Sequence, residues 1–184
     1  MSMKVTDINR YYRSPNTTTV TWAYLENTLA GYADTCGLPG CLGLNLDPDF
    51  QRGHVWTEDK QIAFVEFCLR EGQYSRTILF NHPGWNDDYA GEMVLVDGKQ
   101  RLEAVRKFMR NELPIFGGNR LNDFDDPRRL LRTNGAHLLF GINTLQTRRE
   151  ILEWYLQINT GGVVHTAEEI AKVERMLVSE NGVQ

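Results

Sequence analysis

The sequence predicts an α+β fold, a small mixed sheet with surrounding helices. Two observations carry this. Apolar residues recur at helical spacing in several segments of moderate length, and short apolar runs bounded by turn residues fall between them. No internal repeat or low-complexity stretch interrupts the pattern.

Residues 1–18 are polar, carry Ser14-Pro15-Asn16, and read as a flexible N-terminal arm; residues 19–184 read as a single domain. Trp22, Leu25, Leu29 and Tyr32 predict an amphipathic helix over 19–33. Gly37, Pro39, Gly40 and Gly43 break it, and Leu42–Leu46 is a short strand leading into the loop DPDFQRGHVW. Thr57 is a fitting N-cap, and Glu58 and Asp59 suit the positive end of a helix running to Gly72. Thr77–Phe80 and Met93–Val96 read as neighbouring strands across the turn-rich loop NHPGWNDDYAG. Leu102, Val105, Phe108 and Met109 mark the apolar face of a helix over 99–110. The charged segment 117–134 reads as a surface excursion with a short helix at 127–132. A strand follows at His137–Ile142 and a helix at 148–158. Thr166 and Glu169 have capping-box spacing ahead of a last helix at 167–179.

Composition is that of a globular protein: 41% hydrophobic, 24% charged, with 20 basic against 24 acidic residues. A net charge of −4 argues against a broad electrostatic grip on DNA or membrane, while leaving room for a local basic site. No apolar run is long enough to cross a bilayer, and the N-terminus lacks the apolar core of a signal peptide, so a cytoplasmic location is expected. Cys36, Cys41 and Cys68 form no CxxC pair and read as reduced, packed thiols. His54, His82, His137 and His165 have no zinc-site spacing. The sequence also lacks a P-loop and a GxSxG elbow.

Three clusters carry polar chemistry. The first is Asp97-Gly98-Lys99-Gln100-Arg101, where a strand feeds a helix. Free N–H groups at the helix start favour an anion, Gly98 lets it come close, and Lys99 and Arg101 add charge. Asp97 can hold a magnesium ion or orient a water; equally, it can serve as a helix cap with the cations solvated. The second is Asp47–Arg52, in which a buried Phe50 would hold Gln51 and Arg52 in fixed directions, with Trp56 beside them. The third is Ile158-Asn159-Thr160-Gly161-Gly162, where glycine after a helix is an ordinary C-cap and Asn159 can turn its amide toward a ligand.

Taken in order, Pro48-Asp-Phe50-Gln51-Arg52-Gly-His-Val55-Trp56, Asp97–Leu102 and Tyr155–Gly162 followed by Thr166 and Glu169 resemble the N-terminal domain of GmrSD-type modification-dependent restriction enzymes, within the ParB/sulfiredoxin-like superfamily. The resemblance spans positions 42 to 175. It implies a ParB/sulfiredoxin-like fold with a nucleotide pocket centred on the D-G-x-Q-R turn. Asp97, Gln100 and Arg101 would be the catalytic group. Gln51, Arg52, Gly98, Lys99, Arg101 and Asn159 would bind nucleotide and phosphate, with Mg2+ on Asp97. Family members often have Gln where this chain has Lys99. Larger members carry a separate HNH-type nuclease domain, for which this chain is too short, so cutting DNA unaided is not expected. Phe116-Gly117-Gly118-Asn119-Arg120 faintly echoes a sulfiredoxin loop but lacks the cysteine that chemistry requires.

Three functions compete. One is a stand-alone domain that binds and hydrolyses a nucleoside triphosphate, linked to DNA restriction or anti-restriction. Another is a metal-dependent DNA nickase using Asp97 and Glu169. The last is a non-catalytic module binding DNA or a restriction or DNA-processing protein, a form suited to a phage or mobile element.

Overall fold

The computed structural model describes Tyr12 and residues 16–34, 40–51, 56–72, 75–160 and 167–180. Five strands form one mixed sheet. They are β1 (Asn16–Thr21), β2 (Cys41–Asn45), β3 (Thr77–Asn81), β4 (Gly91–Asp97) and β5 (His137–Asn143), in the order β1-β5-β3-β4-β2. The helices are α1 (Leu25–Asp34), α2 (Glu58–Leu69), α3 (Lys99–Met109), α4 (Pro127–Leu130), α5 (Arg148–Thr160) and α6 (Ala167–Glu180). The architecture is therefore α+β with a mixed open sheet, as the alternation of patterns predicts.

The two strands read as neighbours do pair: β3 and β4 run antiparallel, with Asn81 opposite Val94 and Leu79 opposite Asp97. β3 is parallel to β5, and β4 is parallel to β2, whose register ends at Asn45–Val94. Strand alternation divides the apolar residues between two cores. Ile78, Phe80, Met93, Leu95, Leu138 and Phe140 face the larger core, with Leu25 and Leu29 of α1, Phe64 and Val65 of α2, and Leu102, Val105 and Phe108 of α3. Val94 and Val96 face the opposite way and meet Leu152, Trp154 and Tyr155 of α5 and Val173 of α6.

The N-terminal segment differs from the expectation. Asn16–Thr21 is an edge strand antiparallel to β5, from Asn16 opposite Ile142 to Thr21 opposite His137, so residues 16–18 of the expected arm belong to the sheet. The helix expected from residue 19 begins at Leu25, after a 3-10 turn at Trp22–Tyr24. Four threonines in NTTTVT, β-branched and mostly exposed, explain this: such residues favour a half-solvated pleated edge over a helix. The remaining arm residues other than Tyr12, together with Cys36, His54, His165 and the Thr166 end of the expected capping box, lie outside the described residues.

A capping box is formed at the start of α5. The Glu150 carboxylate accepts from the Thr147 N–H (2.9 Å) and hydroxyl (2.9 Å), while the Glu150 N–H donates to Thr147 Oγ1 (3.2 Å). Hydrogen bonds from the Thr147 side chain, then from the Thr147 and Gln146 N–H groups, hold this carboxyl below its ordinary value. The buried Cys68 thiol, pushed up to about 11 by burial, stays protonated at neutral pH and packs as a small apolar group. Among the described residues, no helix is long and apolar enough to cross a membrane.

Asn81, fully buried, joins β3 to the segment entering α5. Its Nδ2 donates to Leu145 O (3.0 Å) and its Oδ1 accepts from Leu145 N (2.8 Å). Asn81→Ala leaves a donor and an acceptor unpaired, and is expected to cost about 2–4 kcal/mol, measured by urea unfolding. Glu150→Gln is expected to be less stable than the wild type at pH 7. A carboxyl whose folded value is lowered stabilises above its unfolded value and loses that contribution as pH falls through the lowered one. The difference between the two urea midpoints should therefore shrink below about pH 4.

Candidate functional site

The site is built where β4 runs into α3. Gly98 is the N-cap of α3, with φ of 96° in the left-handed region. Glycine is required there twice over. A Cβ would lie 2.7 Å from Ile78 Cδ1, 3.1 Å from Ile78 Cα and 3.2 Å from Thr77 O of the neighbouring strand. With no side chain at the N-cap, no side-chain hydrogen bond caps α3, and its first turn holds no acid. It carries Lys99 and Arg101 instead, the reverse of the charge a helix dipole prefers.

The polar side chains of this turn already have partners. Arg101 is paired with Asp97, one turn back, and Lys99 with Asp47 in the loop after β2. Arg101 Nε is buried without a partner. Gln100 Oε1 accepts from the Trp56 N–H at 2.9 Å. Gln51 Nε2 donates to Leu95 O at 2.5 Å, just where the β2–β4 pairing has ended. Both glutamines thus complete backbone hydrogen bonds between the 47–56 segment and the β4–α3 unit.

Phe50 is buried as expected, its ring 5.3 Å from that of Tyr155 on α5. Three residues without a role in the sequence reading join it: Asp49 accepts both oxygens' bonds from Arg148 (3.0 and 2.9 Å), and Lys172 of α6 donates to Asp49 O at 2.7 Å. Only the acid-rich spelling of the loop, Asp47-Pro-Asp49, signals these cationic partners. Asn159 lies one turn after Tyr155 on the same side of α5, and its Nδ2 donates to Tyr155 O at 2.6 Å. Its amide is therefore turned onto its own helix. Arg52, Gly161 and Gly162 lie outside the described residues, and nothing is described of the Glu169 side chain.

The structure thus brings Gln51, Asp97, Gly98, Lys99, Gln100 and Arg101 together at the end of β4, with Asp47 added. Among the described residues, no group of three or more His, Cys, Asp or Glu side chains is gathered for a metal ion. Asp97, with Arg101 against it, is a single carboxylate that could give a metal ion one of its oxygen ligands, too few for a resident site. The Phe116–Arg120 segment is a tight turn, in which Ile115 N donates to Asn119 O (2.8 Å) and Arg70 lies over the Phe116 ring at 5.0 Å.

The fold and the turn define an α+β domain with an uncapped, cation-bearing helix start held against a second loop. Residues 40–138, more than half of the 184-residue chain, match the family of the GmrSD restriction endonuclease N-terminal domain. The chain belongs to that family; the match takes in the first two of the three motifs that carried the resemblance, Pro48–Trp56 and Asp97–Leu102, while Tyr155–Gly162 lies beyond it. No curated protein and no solved structure matches the chain.

Gly98→Ala is expected to destabilise the fold by about 2 kcal/mol or more, since it adds left-handed strain to overpacking against β3. Urea unfolding checks the loss, and Gln51→Ala, which removes one hydrogen bond, should cost about 1–2 kcal/mol in the same assay.

Proposed function

We propose that this chain is a DNA-restriction-associated domain that binds a nucleoside triphosphate at the β4–α3 turn and hydrolyses it with magnesium. The observation that carries the reading is the start of α3, where a glycine N-cap, no acid in the first turn and two cations leave an anion-shaped demand. The family match supports the link to DNA restriction.

In this reading the phosphates sit on the N–H groups of the first turn, gripped by Lys99 and Arg101, with Arg52 and Asn159 as further walls. Asp97 holds magnesium with the phosphate oxygens or orients the attacking water. Gln51 and Gln100 act as positioning residues, because their amides tie the loop to the turn. Phosphate must displace the Asp47 and Asp97 carboxylates from the two cations. Displacing Asp47 is cheap, since its side chain is 81% exposed and exposed ion pairs contribute about 0–1 kcal/mol; the part-buried Asp97–Arg101 pair is the costlier of the two to open.

One observation favours a second reading. Because the turn's side chains are internally partnered, the same contacts can serve as a structural clasp in a non-catalytic module that binds DNA or a restriction protein.

Thermal unfolding across the four NTPs, with and without magnesium, separates the two. A nucleotide at about a hundred times its Kd should raise the melting temperature by roughly 5–10 °C. Arg101→Ala should abolish the shift. Asp97→Ala should keep it, because it frees Arg101 from an internal carboxylate, and should lose turnover. No shift with any NTP would leave the clasp reading standing, and normal binding and turnover in both variants would place the pocket elsewhere.

A further inference from the structure

At the other end of β4 from Gly98, the loop after β3 folds against α1 and encloses a cavity of about 350 Å3. Its walls are the rings of Tyr32, His82, Trp85 and Tyr89, with Met93 of β4 and Thr28 and Gly31 of α1 completing it. The rings stand edge to face. Tyr32 and Trp85 are 5.5 Å apart at 83°, Trp85 and Tyr89 5.6 Å at 76°, and His82 and Tyr89 5.9 Å at 80°. Aromatic rings favour such edge-to-face packing, which fixes them against one another; the ring surface left lining the cavity is apolar and flat, and a flat ring can stack on it.

Two further features mark the cavity. Tyr89 has φ of 58°, a left-handed conformation that a bulky residue adopts only when its surroundings force it. The loop does force it: Tyr89 N donates to Gly84 O (2.9 Å), Gly84 N to Ala90 O (3.2 Å) and Ala90 N to Asp88 Oδ1 (2.9 Å). A Cβ on Gly84 would meet Ala90 N at 2.5 Å, so the loop is closed tightly around that glycine. His82 is 3% exposed and its Nδ1 is buried without a hydrogen-bond partner. Burial holds the imidazole below its ordinary value, so it is neutral at pH 7 and offers one donor and one acceptor.

The cavity is joined to a basic surface by one side of α1. Thr28, Gly31 and Tyr32 lie on one side of α1, and the 3-10 turn before it brings Tyr24 next to them, its carbonyl accepting from the Thr28 hydroxyl at 2.8 Å. At the Tyr24 end, Arg132 lies over the exposed Tyr24 ring at 6.0 Å. Arg128, Arg129 and Arg132 line an open depression of about 510 Å3. Among the described residues no ion pair joins these three to a carboxylate, whereas Arg101, Arg106, Arg110, Arg148 and Arg149 are all paired. Asp126, beside them, accepts from the Arg129 backbone N–H. Asp126 lines the same depression, so three arginines stand against one carboxylate there, a local excess of positive charge in a chain of net charge −4.

We propose that the aromatic cavity takes a single unstacked base of a DNA strand, and that the strand's phosphates run along α1 to the Arg128–Arg129–Arg132 cluster. The choice of DNA rests on the restriction-associated reading; the cavity and its arginines do not depend on nucleotide binding at the α3 turn. Met93 and Asp97 are four residues apart on β4, so the two sites are separated by about 13 Å along the strand.

The test measures fluorescence anisotropy of labelled oligonucleotides with the full chain and no added nucleotide, which makes it blind to the α3 turn. The ligands are a single strand, a strand of the same length that is abasic throughout, an RNA strand of the same sequence, and the four free deoxynucleosides as competitors. The wild type should prefer the intact strand over the abasic one by about fivefold or more. Arg128→Ala/Arg129→Ala/Arg132→Ala should weaken binding to every strand and flatten its salt dependence. Gly31→Leu is the blocking variant: a Cβ there meets nothing within 4 Å, and leucine favours a helix over glycine, so the fold should keep its melting temperature. It should bind intact and abasic strands equally, as should Trp85→Ala. Unchanged base preference in Gly31→Leu overturns the proposal. So does equal affinity for nucleoside and strand with no effect of the arginine variant, which makes the cavity a free-nucleoside site, and so does a preference for RNA.

Discussion

The β4–α3 turn depends on how closely Gly98 passes β3. With Ile78 and Thr77 inside the space a Cβ would need, only glycine can end this strand, and a glycine N-cap has no side chain to satisfy the helix behind it. The polar demand passes outward, to Asp97 on one side and to the loop after β2 on the other. That loop is where β2 parts from β4 after Asn45–Val94, and Gln51 takes over the next carbonyl, Leu95 O. A steric limit between two buried strands thus determines which polar groups gather at the end of β4.

The groups that hold the loop differ in what they contribute. Burial of the Phe50 ring against Tyr155 is worth about 1.5–3 kcal/mol, and the Gln51 amide serves a carbonyl that would otherwise lack a partner. The ion pairs of Asp47 with Lys99 and Asp49 with Arg148 are exposed, and each contributes about 0–1 kcal/mol. Loop position therefore rests on apolar burial and backbone hydrogen bonds, which are costly to break. Charge placement rests on contacts that exchange readily. In the proposed anion site the loop backbone would be held by the first kind of contact and Lys99 by the second, while Arg101, in a part-buried pair with Asp97, would be released less readily.

Much of this was legible in the sequence, and the remainder was not, for physical reasons. The β3–β4 pairing, the Gly98 turn and the burial of Phe50 follow from local patterns: short continuous apolar runs, a glycine between strand and helix, an aromatic in a proline-stiffened loop. β1 escaped because the helical spacing of Trp22, Leu25, Leu29 and Tyr32 invites extension backward, and the threonine run that opposes it is an edge strand with little apolar signal. Gln51 and Gln100 were readable as important but not in their roles, since their partners, Leu95 O and Trp56 N, are 44 residues away and are backbone atoms that leave no mark on residue type. The aromatic cavity was hidden for the same reason. His82, Trp85 and Tyr89 sit in a turn-rich loop, and only the packing of α1 brings Tyr32 to them.

The two ends of β4 are linked by a strand that cannot bend. Met93, Leu95 and Val96 are fully buried, Val94 nearly so, and the two faces belong to separate packed cores. A segment packed on both sides has one arrangement, and coupling between sites needs an element with two. β4 therefore holds the α3 turn and the aromatic cavity at a set distance without relaying occupancy from one to the other. The elements that frame the two ends, α1 and α3, share the larger core, and Arg106 on α3 also pairs with Glu26 on α1. Occupation of one end should leave affinity at the other unchanged, so any linkage between nucleotide and DNA in this family member has to come from a single ligand reaching both ends or from a partner that spans them.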